Sequence, residues 1–190
     1  IHEHMGTTDH TNSQALAVWD QHADPEHIRR MASNIWGEDS DAAMARFRPS
    51  ESTLMKYEHN IVNCDQALRG HRVLDMGCNH GLYSYMALRH GASHVTGGEP
   101  RGMYASGLDR FARDNGLAME FRRGYDTDLS RLVREHSTDT VLLMSVDDIT
   151  NWENMMYDLR RSHVKWVIMQ VTALPDTWLD FGPGLREYAL

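Results

Sequence analysis

The stretch Asp75-Met76-Gly77-Cys78-Asn79-His80-Gly81 joins an acid, two glycines and the start of a helical pattern. Gly77 and Gly81 permit a tight turn and let a ligand approach bare backbone. The first N–H groups of a helix that follows lack partners within it, so they attract an anion or a carboxylate. Glu99 stands about eighteen residues beyond Gly81, at the end of a second short apolar run. An acid at that place can accept both hydroxyls of a ribose. A dinucleotide site would make the same contact, but it would want G-x-G-x-x-G in the first turn. This chain has G-x-x-x-G, with Asp75 two residues ahead of the first glycine.

Other residue types capable of chemistry are sparse. Asp147 and Asp148 follow a fourth apolar run and are the candidate catalytic pair, as a general base or metal ligands; a loop or helix-capping role is the alternative. Gln170 is the only further ligand near a fifth run, so no metal is expected there. Cys64 and Cys78 make neither a zinc ribbon nor a disulfide framework, and Cys78 is expected to pack within the turn. His80 and His90 are expected on helix surfaces. His2-Glu3-His4 lies in a polar terminus, 1–12, read as flexible.

The elements that must position these residues follow from periodicity. Residues 13–70 read as a helical cap. Asp24-Pro25 starts a helix whose face is Ile28, Met31, Ala32, Ile35 and Trp36, and Gly37 stands where it should stop. A second helix is expected over Asp41–Phe47. Ser50 caps a third that carries Leu54, Tyr57, Ile61, Cys64 and Leu68. From residue 71 the period changes. Short strands are predicted at Arg72–Met76, His94–Glu99, Met119–Arg122, Thr140–Ser145 and Trp166–Val171, with helices between them. That alternation means βαβ units and a parallel sheet, with every strand's C-terminal end on one edge.

Val73-Leu74-Asp75-Met76-Gly77-Cys78-Asn79-His80-Gly81 resembles the first motif of the class I S-adenosylmethionine-dependent methyltransferases, D-x-G-x-x-x-G after an apolar strand. The resemblance runs from about Arg72 to Thr172. It implies a Rossmann-like three-layer α/β sandwich, mainly parallel, in strand order 3-2-1-4-5. The family's final hairpin is expected to be missing, because the eighteen residues after Thr172 are broken by Pro175, Pro183 and nearby glycines. The implied cofactor is S-adenosylmethionine, leaving S-adenosylhomocysteine as product. By the resemblance, Asp75 faces the methionine ammonium and the Gly77–Gly81 backbone, with Cys78 and Asn79, lines methionine and ribose. Glu99 takes the ribose hydroxyls, and Pro100 and Arg101 flank the adenine. Tyr125 and Asp126 lie near the adenine amino group, and Ser145 lies beside the sulfonium.

The expected activity is methyl transfer to a small-molecule acceptor, with Trp19, Trp36 or Tyr57 walling the pocket. A non-methylating S-adenosylmethionine-binding protein and an RNA or protein methyltransferase stay open as alternatives. The formal charge of −8 over 190 residues makes nucleic acid a poor partner, with Arg122, Arg123, Arg131 and Arg134 the one candidate basic patch. No apolar run spans a bilayer, no secretory pattern opens the chain, and a cytoplasmic setting is expected. Residues 71–190 are taken as the cofactor-binding domain. Its fifth strand would leave a bare, apolar edge, to be covered by the chain's own apolar tail or by a second copy, with a two-fold homodimer favoured.

Overall fold

The computed structural model describes residues 8–37, 45–124, 129–144, 152–170 and 186–188. Tyr125, Asp126, Ser145, Asp147 and Asp148 lie outside them, as do most of the residues expected for the second helix.

Strand β1 (Arg72–Met76) occupies the middle of the sheet. It pairs in parallel with β2 (His94–Gly98) on one side and β4 (Thr140–Leu143) on the other. β3 (Met119–Arg122) flanks β2, and β5 (Trp166–Met169) flanks β4. A sixth strand, β6 (Arg186–Tyr188), pairs in parallel with β5 in the register Trp166↔Arg186, Val167↔Glu187 and Ile168↔Tyr188. The order is therefore β3-β2-β1-β4-β5-β6. The expected order through five strands is present. The expectation that the pattern stops at strand five is corrected, since three residues of the tail add to the sheet. The edge of β5, which motivated a homodimer, is occupied by the chain itself.

Successive strand side chains point to opposite faces, and this sorts the core into two clusters. Val73, Val95, Leu142 and Ile168 join one cluster with α5 (Leu82–Arg89) and α6 (Gly102–Asp114). Leu74, Met76, Val141, Leu143, Val167 and Met169 join the other with α7 (Leu129–Glu135) and α8 (Trp152–Arg160). With both faces covered, β4 is buried at every position, and its one polar residue, Thr140, donates its hydroxyl to the Ala67 carbonyl.

The helices before the sheet are α1 (Thr8–His22), α2 (Pro25–Trp36), α3 (Glu51–Asn60) and α4 (Asp65–Leu68). Their buried apolar residues, from Ala15 to Leu68, belong to the same cluster as α5 and α6. Helix α1 begins at Thr8, inside the terminus read as flexible, and Ala15 and Trp19 anchor it. Asp24 caps α2 by accepting from the Glu26 and His27 N–H groups at 2.9 and 3.4 Å, and Gly37 ends it at φ 71°. Ser50 caps α3 as expected. The third helix, however, does not continue to Leu68. It breaks at Ile61 into a 3-10 turn over Val62–Cys64, within a run of Asn and β-branched residues that favour helix weakly.

Candidate functional site

The turn leaving β1 is held open by backbone conformation. Gly77, Asn79 and Gly81 all take left-handed φ, at 73°, 51° and 73°. The Gly77 and Cys78 N–H groups donate to the Gly98 carbonyl at 2.8 and 3.2 Å, which ties the turn to the end of β2. Gly81 then opens α5 without a side-chain cap. A Cβ on Gly81 would lie 2.8 Å from Leu108, so the crowding there adds to the conformational demand.

Two buried carboxylates stand on either side of this turn. Asp75, 1% exposed, accepts from Ser84 Oγ on α5 at 2.6 Å through one oxygen. Its other oxygen, Oδ1, is buried and has no hydrogen-bond partner among the described residues. Burial, opposed by Ser84 and reinforced by the charge of Glu99, pushes the Asp75 carboxyl up to about 6. Tyr83, on the same helix, is pushed up to about 12 by burial and by Asp75. Glu99, also 1% exposed, follows β2 directly. Its Oε2 accepts the Asn79 N–H at 2.9 Å. Its Oε1 accepts both the Arg101 N–H at 3.0 Å and Arg101 Nε at 2.6 Å. The Arg101 guanidinium also donates to Asn79 Oδ1 at 3.1 Å and lies over the Tyr104 ring at 4.4 Å.

Aromatic rings wall the turn on one side. His80 packs 5.1 Å from Trp36 and 5.2 Å from Tyr104, with Phe47 at 6.0 Å. Arg46 lies over Trp36 at 4.5 Å. Burial, followed by the charges of Arg101 and Arg46, lowers the His80 pKa and favours the neutral ring.

The structure thus brings Asp75, Gly77, Cys78, Asn79, Gly81, Glu99, Pro100 and Arg101 together at one edge of the sheet. Cys78 is buried, and its thiol is pushed well above the usual range by burial, as packing within a turn requires. Several expectations are corrected. His80 is part of a ring cluster and His90 is buried: it stacks on His22 at 4.0 Å and bonds to Tyr57 Oη at 2.5 Å. Tyr57 is itself fully buried and edge-on to Trp19 at 5.2 Å, so it forms core. Trp19 faces a cavity of about 390 Å³ bounded by Ala23, Pro25, Ile28 and Phe47, which includes no turn residue. Of the three proposed wall residues, only Trp36 reaches the turn. The sequence reading missed Ser84 and Tyr104. A serine on the apolar side of α5 was the available signal for the first, and nothing in the sequence distinguishes Tyr104 from the other residues of α6.

Among the described residues, no group of three His, Cys, Asp or Glu side chains is arranged to hold a metal. No described helix is long and apolar enough to cross a membrane.

No family model matches the chain. It is 24% identical over 174 residues to a probable protein arginine N-methyltransferase 3 of Arabidopsis thaliana, a match covering 86% of this chain and 29% of that protein. Among solved structures, monomeric WbdD superposes with a TM-score of 0.51 at 23% identity, over 73% of this chain and 35% of WbdD. An S-adenosylmethionine-dependent methyltransferase from Mesorhizobium loti aligns at 23% identity with a TM-score of 0.39, over 52% of this chain and 43% of that one. The chain therefore spans less than a third of its curated relative and about a third of WbdD. In its strand order and in the turn that joins β1 to α5, the chain has the Rossmann-like fold of the class I S-adenosylmethionine-dependent methyltransferases.

Proposed function

We propose that the protein is an S-adenosylmethionine-dependent methyltransferase acting on a small-molecule acceptor. The observation that carries the reading is the buried Oδ1 of Asp75 beside the glycine turn, unpartnered among the described residues, with buried Glu99 at the end of the neighbouring strand. A buried acceptor without a donor is costly, and an ammonium group would satisfy it with a charge-assisted bond. In this reading Glu99 accepts the ribose hydroxyls, and the Gly77–Gly81 backbone lines the methionine and ribose. Bound S-adenosylmethionine supplies an activated methyl group, so the protein's work is positioning and exclusion of water. Pro100, Tyr125 and Asp126 are proposed around the adenine, Ser145 near the sulfonium, and Asp147 and Asp148 as candidate bases.

Trp36, His80 and Tyr104 support a compact acceptor, because packed rings beside the turn suit a small molecule. A protein acceptor is the second reading, favoured by the arginine methyltransferase relative. Calorimetry with S-adenosylhomocysteine tests the cofactor. Binding is expected, with Glu99→Ala weakening it by about 1.5–3 kcal/mol for each charge-assisted bond lost. Absence of binding at millimolar ligand would overturn the reading. Transfer of labelled methyl from S-adenosylmethionine into a metabolite pool, against a protein pool, separates the two acceptors. Binding without any labelled product would identify a non-methylating binder.

A further inference from the structure

An ionised carboxylate offers about four lone-pair positions across its two oxygens. In Glu99 three are taken: one on Oε2 by the Asn79 N–H, and two on Oε1 by the N–H and Nε–H of Arg101. A ribose diol needs two. The Asn79 and Arg101 backbone donors are fixed by the turn and by the start of α6. The Arg101 Nε–H is the removable donor, on a side chain that is 55% exposed while Glu99 is 1% exposed.

Resting on the proposed cofactor reading, we propose that Arg101 is a latch on Glu99, holding the carboxylate position that the second ribose hydroxyl must take. Seating a vicinal diol on Glu99 requires the Arg101 side chain to let go of Oε1. The Asn79 and Arg101 N–H groups hold the buried carboxylate through the exchange, so only the side-chain donor is replaced by the hydroxyl. Arg101 has places to remain after release. Its guanidinium lies over Tyr104, and its terminal nitrogen bonds to Asn79 Oδ1 rather than to Glu99. The released group also faces water. Arg101 is thus a specificity-determining residue: it penalises any ligand that requires both oxygens of Glu99, and it spares one that brings a single hydroxyl. The same contact would re-form behind a departing ribose and hasten product release.

The test compares wild type with Arg101→Met, which keeps the apolar stem over Tyr104 and removes every donor on the side chain. Calorimetry and stopped-flow binding are run with S-adenosylhomocysteine and with its 2′-deoxy analogue. The variant is expected to bind S-adenosylhomocysteine about tenfold more tightly, the equivalent of about 1.4 kcal/mol, and to associate faster. The gain should vanish with the 2′-deoxy analogue. If wild type binds S-adenosylhomocysteine and the variant binds it equally or more weakly, Arg101 is a bystander or a ligand contact, and the latch is wrong. If wild type binds no S-adenosylhomocysteine, the cofactor reading fails, and the latch is judged on the ligand-free protein. The Arg101 Nε–H resonance should then exchange slowly in wild type and rapidly in Glu99→Gln. Rapid exchange in wild type would overturn it.

Discussion

Asp75 is pulled two ways by its surroundings. Its carboxyl is raised from the usual 3.8 to about 6, because ionising it strands a charge in the core beside Glu99. For an acid whose folded pKa is raised, the stabilising contribution of the neutral form is present below the unfolded value. That contribution is lost as pH rises through the folded one. The ligand-free protein should therefore lose stability from this group between about pH 4 and 6. An ammonium ligand needs the ionised form, so affinity for S-adenosylhomocysteine should climb over the same window. Asp75→Asn should flatten both trends, read by calorimetry and thermal melts at stepped pH. Opposed slopes from one group would identify Asp75 as the ammonium acceptor; affinity independent of pH would exclude it. The acid, the glycines and Glu99 were legible in the sequence because their types and spacing are the chemistry. The bonds from Ser84 and Arg101 were not, because a side chain's choice of partner depends on neighbours that only the fold supplies. His90 was misread for the same reason: its solvent-facing look disappears once α1 and α3 pack over it.

Helices and strands were the most readable level, since both periods are written in the apolar positions. The Asp24, Ser50 and Gly37 caps stand where capping chemistry puts them. Boundaries were less readable. The break at Ile61 depends on small differences in helix preference, and the start of α1 at Thr8 depends on the docking of Trp19. How α2 meets α6 was not readable either. The contact turns on Gly107, where a Cβ would fall 2.6 Å from the Asn34 carbonyl oxygen and 3.2 Å from Ile35 Cα. Those neighbours are backbone and cannot rotate aside. Gly107→Ala should destabilise the protein by about 1–3 kcal/mol through overpacking, lowering the melting temperature by roughly 2–4 °C per kcal/mol. An unchanged melting temperature would show that α2 shifts freely on α6. Gly116→Ala is no control, because its φ of 61° carries its own strain.

At the scale of the whole molecule, the alternation of strands and helices dictated a parallel sheet, and the first five strands lie in the order that the motif implied. The sixth strand was not legible. Arg186–Tyr188 is three residues long, too short for a period to show, and it joins the sheet because β5 offers unpaired backbone. A short outer strand is also a poor template for another copy. Association through the β5 edge is therefore not expected, and light scattering should give the monomer mass. A dimer that survives substitution of Tyr188, the β6 partner of Ile168, by proline would use another face.

The central place of β1 also bears on how the molecule opens. Four of its five residues, Val73–Met76, have partners on both edges, and helices cover both faces, whereas β6 is held by one neighbour over three pairs. Regions with few contacts open in local excursions, while a doubly flanked strand yields only when the whole sheet does. Deuterium should enter the 186–188 amides early and the 72–76 amides last. If so, the floor beneath Asp75 is the most persistent part of the fold, and the edge most distant from it along β4 and β5 can come and go without disturbing it.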